Sequence, residues 1–245
     1  VSSLSDNQEE VNNLKYYRMK RGIIAFLSIL LIQQVYAQSV RKMELPSFKA
    51  VEVLGNFEVM LEQGDKEGVS LVGNDGEVER IKIAVKGGVL RISDIKSLNS
   101  RSEAMVIVRY VKLERVLATA GSLVYKKDGW AVDNLEIVCS SGAKVDFVLQ
   151  AGKIVAGVDK GGTLTLKGTA KFADAEASTG GIFDAYELQC DSATVRANAG
   201  GLAKVFVTQY LQANASAGGE ISYRRAPKKL VPKKVLGGKI EQMVE

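Results

Sequence analysis

A glycine returns every 18 to 21 residues along one hundred residues of this chain, at Gly121, Gly142, Gly161, Gly180, Gly200 and Gly218. Self-similarity at a fixed period near 20 is the signature of a stacked solenoid, in which each repeat buries its apolar face only against its neighbours. No ordinary globular topology demands such regularity. The feature constrains architecture strongly and chemistry hardly at all.

Aligned on that glycine, the flanking residues form columns. Three positions before it stand Ala118, Cys139, Val158, Ala177, Ala197 and Ala215, and two further back Val116, Ile137, Ala156, Ala175, Val195 and Ala213. Three positions after it stand Val124, Val145, Leu164, Phe183, Ala203 and Ile221. Apolar residues therefore alternate on both sides of the glycine, which is the period of a strand and not of a helix. The recurring leucines and asparagine of a leucine-rich repeat are missing. At about 3.3 Å of rise per strand residue, some twenty residues make one narrow coil with two or three short faces. The sequence thus predicts an all-β, right-handed parallel β-helix, a solenoid of about 20 residues per coil, with alanines in its cramped interior. Four corners are doubled, as Gly161-Gly162, Gly180-Gly181, Gly200-Gly201 and Gly218-Gly219, where positive φ or close backbone approach is expected. The column reads as a repeated turn before it reads as a binding ladder.

Ahead of the repeats the pattern changes. Alternating segments at 51–53, 57–61, 69–72 and 89–92 read as strands punctuated by turns at Gly64, Gly73, Gly76 and Gly87-Gly88. Residues 97–103 read as a polar loop, and 105–108 as a buried strand entering the first coil. This region is expected to be an N-terminal β cap, because the terminal repeat of a solenoid must cover an open end. Further upstream, Met19-Lys20-Arg21, the apolar run Ile23 to Ile32 and Val35-Tyr36-Ala37 have the layout of a secretory signal peptide over 19–37. The run is too short to span a bilayer comfortably. Residues 1–18 read as an upstream extension, and 38–245 as a single β-helical domain.

Charge is uneven along that domain. Residues 38–223 carry 22 basic and 23 acidic side chains, whereas 224–245 carry 7 basic and 2 acidic. Arg224, Arg225, Lys228, Lys229, Lys233 and Lys234 are the candidate contacts for an anionic surface. The competing reading is a solvated basic tail that keeps the last coil from pairing edge to edge. Nucleic acid is a poor partner for this charge, since no base-stacking module accompanies it. Trp130, the single tryptophan, reads as a packing residue beside a corner. Cys139 falls in an inward column and Cys190 between repeats, so no disulfide is expected.

The chain has no histidine, which excludes Ser-His-Asp and Cys-His catalysis and histidine-dependent zinc sites. Phosphate-binding and dinucleotide loops are missing, and the Gly-Gly pairs lack the aspartate of calcium-binding solenoids. No cofactor or metal is expected. Asp146, Asp159, Asp174, Asp184 and Asp191 read as occupying different columns, so they do not suggest paired glycosidase carboxylates.

The segment from Phe48 to Val59, Phe-Lys-Ala-Val-Glu-Val-Leu-Gly-Asn-Phe-Glu-Val, together with Gly87 to Ile92, Ala118 to Ser122 and the later Gly-Gly repeats, resembles the head GIN domain family, also called putative auto-transporter adhesins. The resemblance spans about residues 45–240. It implies a right-handed β-helical domain of the bacterial envelope, exported to the periplasm or outer surface of a Gram-negative-type cell, and it carries no catalytic residues to transfer. The function expected is a noncatalytic module binding glycan, envelope polymer or protein. The rivals are a carbohydrate-active enzyme on the same scaffold and a purely structural envelope protein.

Overall fold

A computed structural model describes residues 39–98 and 101–243. The expected signal segment at 19–37 and the extension at 1–18 lie outside the described residues. Within them the chain is a parallel β-solenoid of about seven turns, with a partly antiparallel region at its N-terminal end.

The repeats become five long, bent strands: β9 (Leu123–Cys139), β10 (Lys144–Val158), β11 (Thr163–Ser178), β12 (Ile182–Asn198) and β13 (Leu202–Ser216). Each lies parallel on the next. The predicted columns are the observed registers. Val124, Val145, Leu164, Phe183, Ala203 and Ile221 stack in one line, and Ala118, Cys139, Val158, Ala177, Ala197 and Ala215 in another. All are buried.

Every corner is built alike. The residue before the glycine has φ between 46° and 59° and the glycine itself between 70° and 79°, from Ala120-Gly121 to Leu236-Gly237. Two successive left-handed residues define a type I′ turn, here turning the chain from one parallel strand into the next. The turn is closed by an N–H to C=O bond three residues back, as from Gly201 to Asn198 at 2.8 Å. Between coils, the Gly121 N–H donates to Ser141 O, Gly142 to Lys160 O and Gly161 to Thr179 O. These amides are spent on the next coil, so the glycine column is a structural seam and not a binding ladder. The second glycine has a different reason. A Cβ on Gly181 or Gly201 would stand 2.4 or 2.2 Å from the carbonyl oxygen of Val158 or Ala177 in the coil before.

A seventh corner, Leu236-Gly237-Gly238, continues the period. The described part of the segment 224–245, read from sequence as a basic tail, contributes to the last coil through β15 (Lys229–Val235) and β16 (Lys239–Gln242), with β14 (Glu220–Tyr223) before them. Lys234 continues the alanine column beside Ala215, and Pro232 sits beside Ala213. Lysine and proline on a strand paired on one side discourage further pairing there.

At the other end, β2 (Ala50–Leu54) and β3 (Glu58–Gln63) lie parallel on β8 (Arg115–Thr119) and β9. On their far side they meet β6 (Val89–Ser93) and β7 (Met105–Tyr110). Chain order and stacking order therefore differ. The chain lays down the second layer first, builds the outermost, and returns to start the regular coils. Antiparallel β1 (Ser39–Glu44), β4 (Gly68–Gly73) and β5 (Lys82–Lys86) complete the cap. Gly76 is not in a turn but in the first turn of helix α1 (Asp75–Arg80), where the Asn74 side chain accepts from the Glu77 N–H at 3.0 Å and donates back to Glu77 at 2.7 Å. The first bond is an N-cap and the second joins the two side chains, so Asn74 and Glu77 lock the helix start together. Ile95–Leu98 forms one 3₁₀ turn, whose last two residues open the stretch expected to be a loop.

Candidate functional site

The best-formed concavity lies where the cap meets the first coil. It encloses about 520 Å³, within the range of small-ligand sites. β7 and the 111–114 connection form one wall and the second half of β9 the other. Its lining includes Gln63, Tyr110, Lys112, Glu114, Trp130, Asp133, Asn134 and Lys153. The seam opens because β9 pairs with β3 only over Leu123 to Tyr125. Beyond that, β9 carries extra residues relative to β10, with the register shifting between Phe147 and Leu149.

Below the seam is an aromatic cluster. Trp130 meets Tyr110 with ring centroids 5.5 Å apart and Phe147 edge-on at the same distance. Trp130 is 2% exposed and packs as the sequence suggested; it is no open platform for a sugar ring. The Tyr110 hydroxyl is buried without a hydrogen-bond partner, and burial pushes its ionisation above the usual range for a phenol. On the rim, the Lys112 ammonium lies 3.0 Å from Glu114. Its hydrogen bond holds that carboxyl below its usual range, and Glu114 in turn raises Lys112. Both stay charged at neutral pH.

A second, shallower groove of about 660 Å³ adjoins the first at Ala131, Val132 and Asp133, and runs down the bend of the coils past Gln150, Gly152, Thr169, Lys171 and Gln189. Close backbone forms part of its lining: a Cβ on Gly152 would stand 2.5 Å from Asp133 O.

The basic residues singled out from sequence divide. Arg224 follows β14 and lies over the rings of Tyr186 and Phe206, 4.8 and 5.3 Å from their centroids. Arg225 and Lys228 are exposed in the connection to β15, and Lys229, Lys233 and Lys234 are exposed on β15 itself. Four exposed lysines thus lie on or just before β15, while Arg224 is held against other side chains. Among the aspartates one expectation fails. Asp146 and Asp184 share an outward column with Thr165 between them, because each stands four residues after its corner glycine. They are two coils apart, about 10 Å, and outside both grooves.

Both cysteines are free and buried. Cys139 Sγ lies 3.2 Å from Ala143 O and Cys190 Sγ 3.0 Å from Ser192 O. Burial pushes each thiol up to about 11. Cys190 belongs to an inward column of its own, with Ala170 and Val207. Among the described residues no cluster of three or more Cys, Asp or Glu side chains could hold a metal, and no helix is long and apolar enough to cross a membrane.

Sequence reasoning missed the seam. Tyr110, Gln63 and Asn134 carry no motif, and only the non-sequential stacking of the cap brings them together.

No curated protein sequence matches the chain. Solved structures do. A crystal structure described as a putative adhesin from Bacteroides fragilis aligns with a TM-score of 0.73 at 20% identity, covering 84% of this chain and 97% of that one. One described as a putative adhesin from Parabacteroides distasonis aligns at 0.66 and 24% identity over the same shares. Another from that organism, described as a putative lipid binding protein, aligns at 0.66 and 18% identity, also over those shares. These likenesses concern the fold. The family model for the putative auto-transporter adhesin, head GIN domain, matches residues 47–227, from the entry to the cap to the approach of the last coil, and the chain belongs to that family.

Proposed function

We propose that this protein is an exported, noncatalytic envelope module that binds glycan, envelope polymer or a protein through the seam and the adjoining bend of its coils. The observation that carries the reading is the seam itself. It is a concave site where the non-sequential cap meets the first regular coil, bearing an unpartnered buried hydroxyl and several polar side chains on its walls. A rigid β scaffold with an adaptable irregular edge suits recognition. Export to the periplasm or outer surface is supported by the signal-like segment at 19–37 and by neighbours described as adhesins. The exposed lysines of the last coil would add contact with anionic envelope surfaces.

Trp130 makes this testable without a label, since the only tryptophan lies beneath the seam. Glycan arrays and envelope pull-downs should yield a saturable ligand whose titration changes the emission of that indole. A protein that saturates with nothing in either screen is not a binding module.

A further inference from the structure

One outward row crosses the coils beside the seam. Lys153 pairs in register with Phe172, Phe172 with Ser192, Ser192 with Tyr210 and Tyr210 with Lys229. Asn134 precedes them. The two lysines lie against the two rings, Lys153 Nζ 5.9 Å from the Phe172 centroid and Lys229 Nζ 5.6 Å from that of Tyr210. The row therefore alternates cation, ring, hydroxyl, ring, cation.

We propose that this row is a track for one strand of a linear, β-linked acidic polysaccharide lying along the solenoid axis. The inference rests on the binding-module reading above and names its ligand.

Spacing supplies the first argument. Parallel coils repeat at about 4.8 Å, so the two rings stand about 10 Å apart and the two lysines about 19 Å. A β-linked chain presents the same face at every second sugar, and the rings recur at every second coil. Each ring offers an apolar surface to the C–H face of a sugar, with the Tyr210 hydroxyl held toward Gln212 at 3.5 Å. Ser192 between them leaves room for the intervening unit.

Charge supplies the second. No acid stands in the row itself. The next outward row on this face carries Glu136 and Asp174, and both are engaged, Glu136 with Arg115 at 3.3 Å and Asp174 with Arg196. Glu176 also faces Arg196, at 3.8 Å. The residues at the bend are mixed in sign, Asp133 and Asp191 against Lys171 and Lys228. What the row offers uncompensated are its two terminal ammonium groups, which suit carboxylates on the polymer.

The experiment compares a β-linked glucuronate hexamer with cellohexaose, the neutral hexamer of the same linkage, by calorimetric titration of the purified protein. The glucuronate hexamer should bind at least tenfold more tightly, and added salt should weaken it. Phe172→Ala and Tyr210→Ala should each cost about tenfold in affinity, an effect of the size seen when stacking is lost. Because a ring deletion could loosen the coil, the exposed double change Lys153→Gln with Lys229→Gln is the companion variant. It should lose a similar factor while circular dichroism stays unchanged. Equal affinity for the two hexamers overturns the proposal, as does undiminished binding by both the lysine variant and Tyr210→Ala. A protein that ignores both hexamers yet saturates with another ligand in the screens overturns the track alone. One that saturates with nothing overturns the binding-module reading as well.

Discussion

Follow one inward column from the cap to the later coils, Leu90, Val51, Val116, Ile137, Ala156, Ala175, Val195 and Ala213, and the side chains shrink while the parallel pairing is kept. In the cap, bulky residues such as Phe48, Phe57 and Leu61 fill a wide interior, and antiparallel strands and a helix close it. In the coils alanine takes over the columns just before the corners, while Phe147, Leu164, Leu166 and Phe183 still fill the interior after them, and at the second corner glycines the backbone of the neighbouring coil leaves no room for a side chain. The cap is thus held by side-chain packing, with a cost for every methyl lost. The coil corners depend in addition on close backbone approach, with a cost for a methyl gained where a neighbouring carbonyl already stands.

That contrast can be broken by substitution. Phe57→Ala in the cap should cost about 4 kcal/mol, read as a lowered urea midpoint; a loss below about 1 kcal/mol would mean the cap core is not what closes the end. Gly201→Ala in the coils should cost about 3 kcal/mol, although it adds only one methyl, because its Cβ would stand 2.2 Å from Ala177 O. The neighbouring Gly200→Ala meets nothing within 4 Å and should cost only about 1 kcal/mol, for left-handed strain. Equal effects at the two glycines would remove the backbone-approach argument.

Alkaline pH sharpens the comparison by a different route, since both thiols sit in the coils. Their ionisation is raised in the folded chain to about 11. Their stabilisation is therefore complete below the ordinary thiol value and is lost as pH rises through about 9 to 11, on the order of 2 kcal/mol per thiol. Cys139→Ala with Cys190→Ala should flatten the profile between about pH 8 and 10, followed by thermal melts. Loss remaining at higher pH includes contributions from Tyr110 and Tyr125, whose phenols are also raised by burial. The smallest effect is a gain. Ala199 holds φ of 46°, and Ala199→Asn, which makes the Asn-Gly pair preferred in this turn, should add about 0.5 kcal/mol.

The same contrast explains what could be read in advance. On both sides of the corner the columns were legible, because there the chain counts evenly from each glycine. On the far side of the coil it does not: Lys153 and Phe172 follow their corner glycines by eleven residues, Ser192 by twelve, Tyr210 by ten and Asn134 by thirteen. Register shifts at 147/149, 165/167, 185/189 and 190/192 absorb the difference. Counting therefore could not align the row from Lys153 to Lys229, nor place Cys190 inward. The seventh corner was visible as Gly237-Gly238 at the same period, but Lys233 and Lys234 hid the alanine pattern before it. In the cap, β1 and β5 carry no buried alternation of their own; β5 reads exposed, half-buried, exposed along its length. The Asn74-x-x-Glu77 pair that starts α1 was present in the sequence, masked by the glycine inside it.

Gly121, Gly142, Gly161, Gly200 and Gly218 each donate a backbone bond to the next corner. Gly142 gives its N–H to Lys160, and the same turn receives at Ser141 O the N–H of Gly121. Coils joined in this way present the same plug and socket at the corner. A whole coil could be duplicated or excised between two such corners and the junction would close on the same bond. The length of the solenoid, and with it the reach of any surface along it, is a variable that evolution or an engineer can change in single-coil cassettes without redesigning the core.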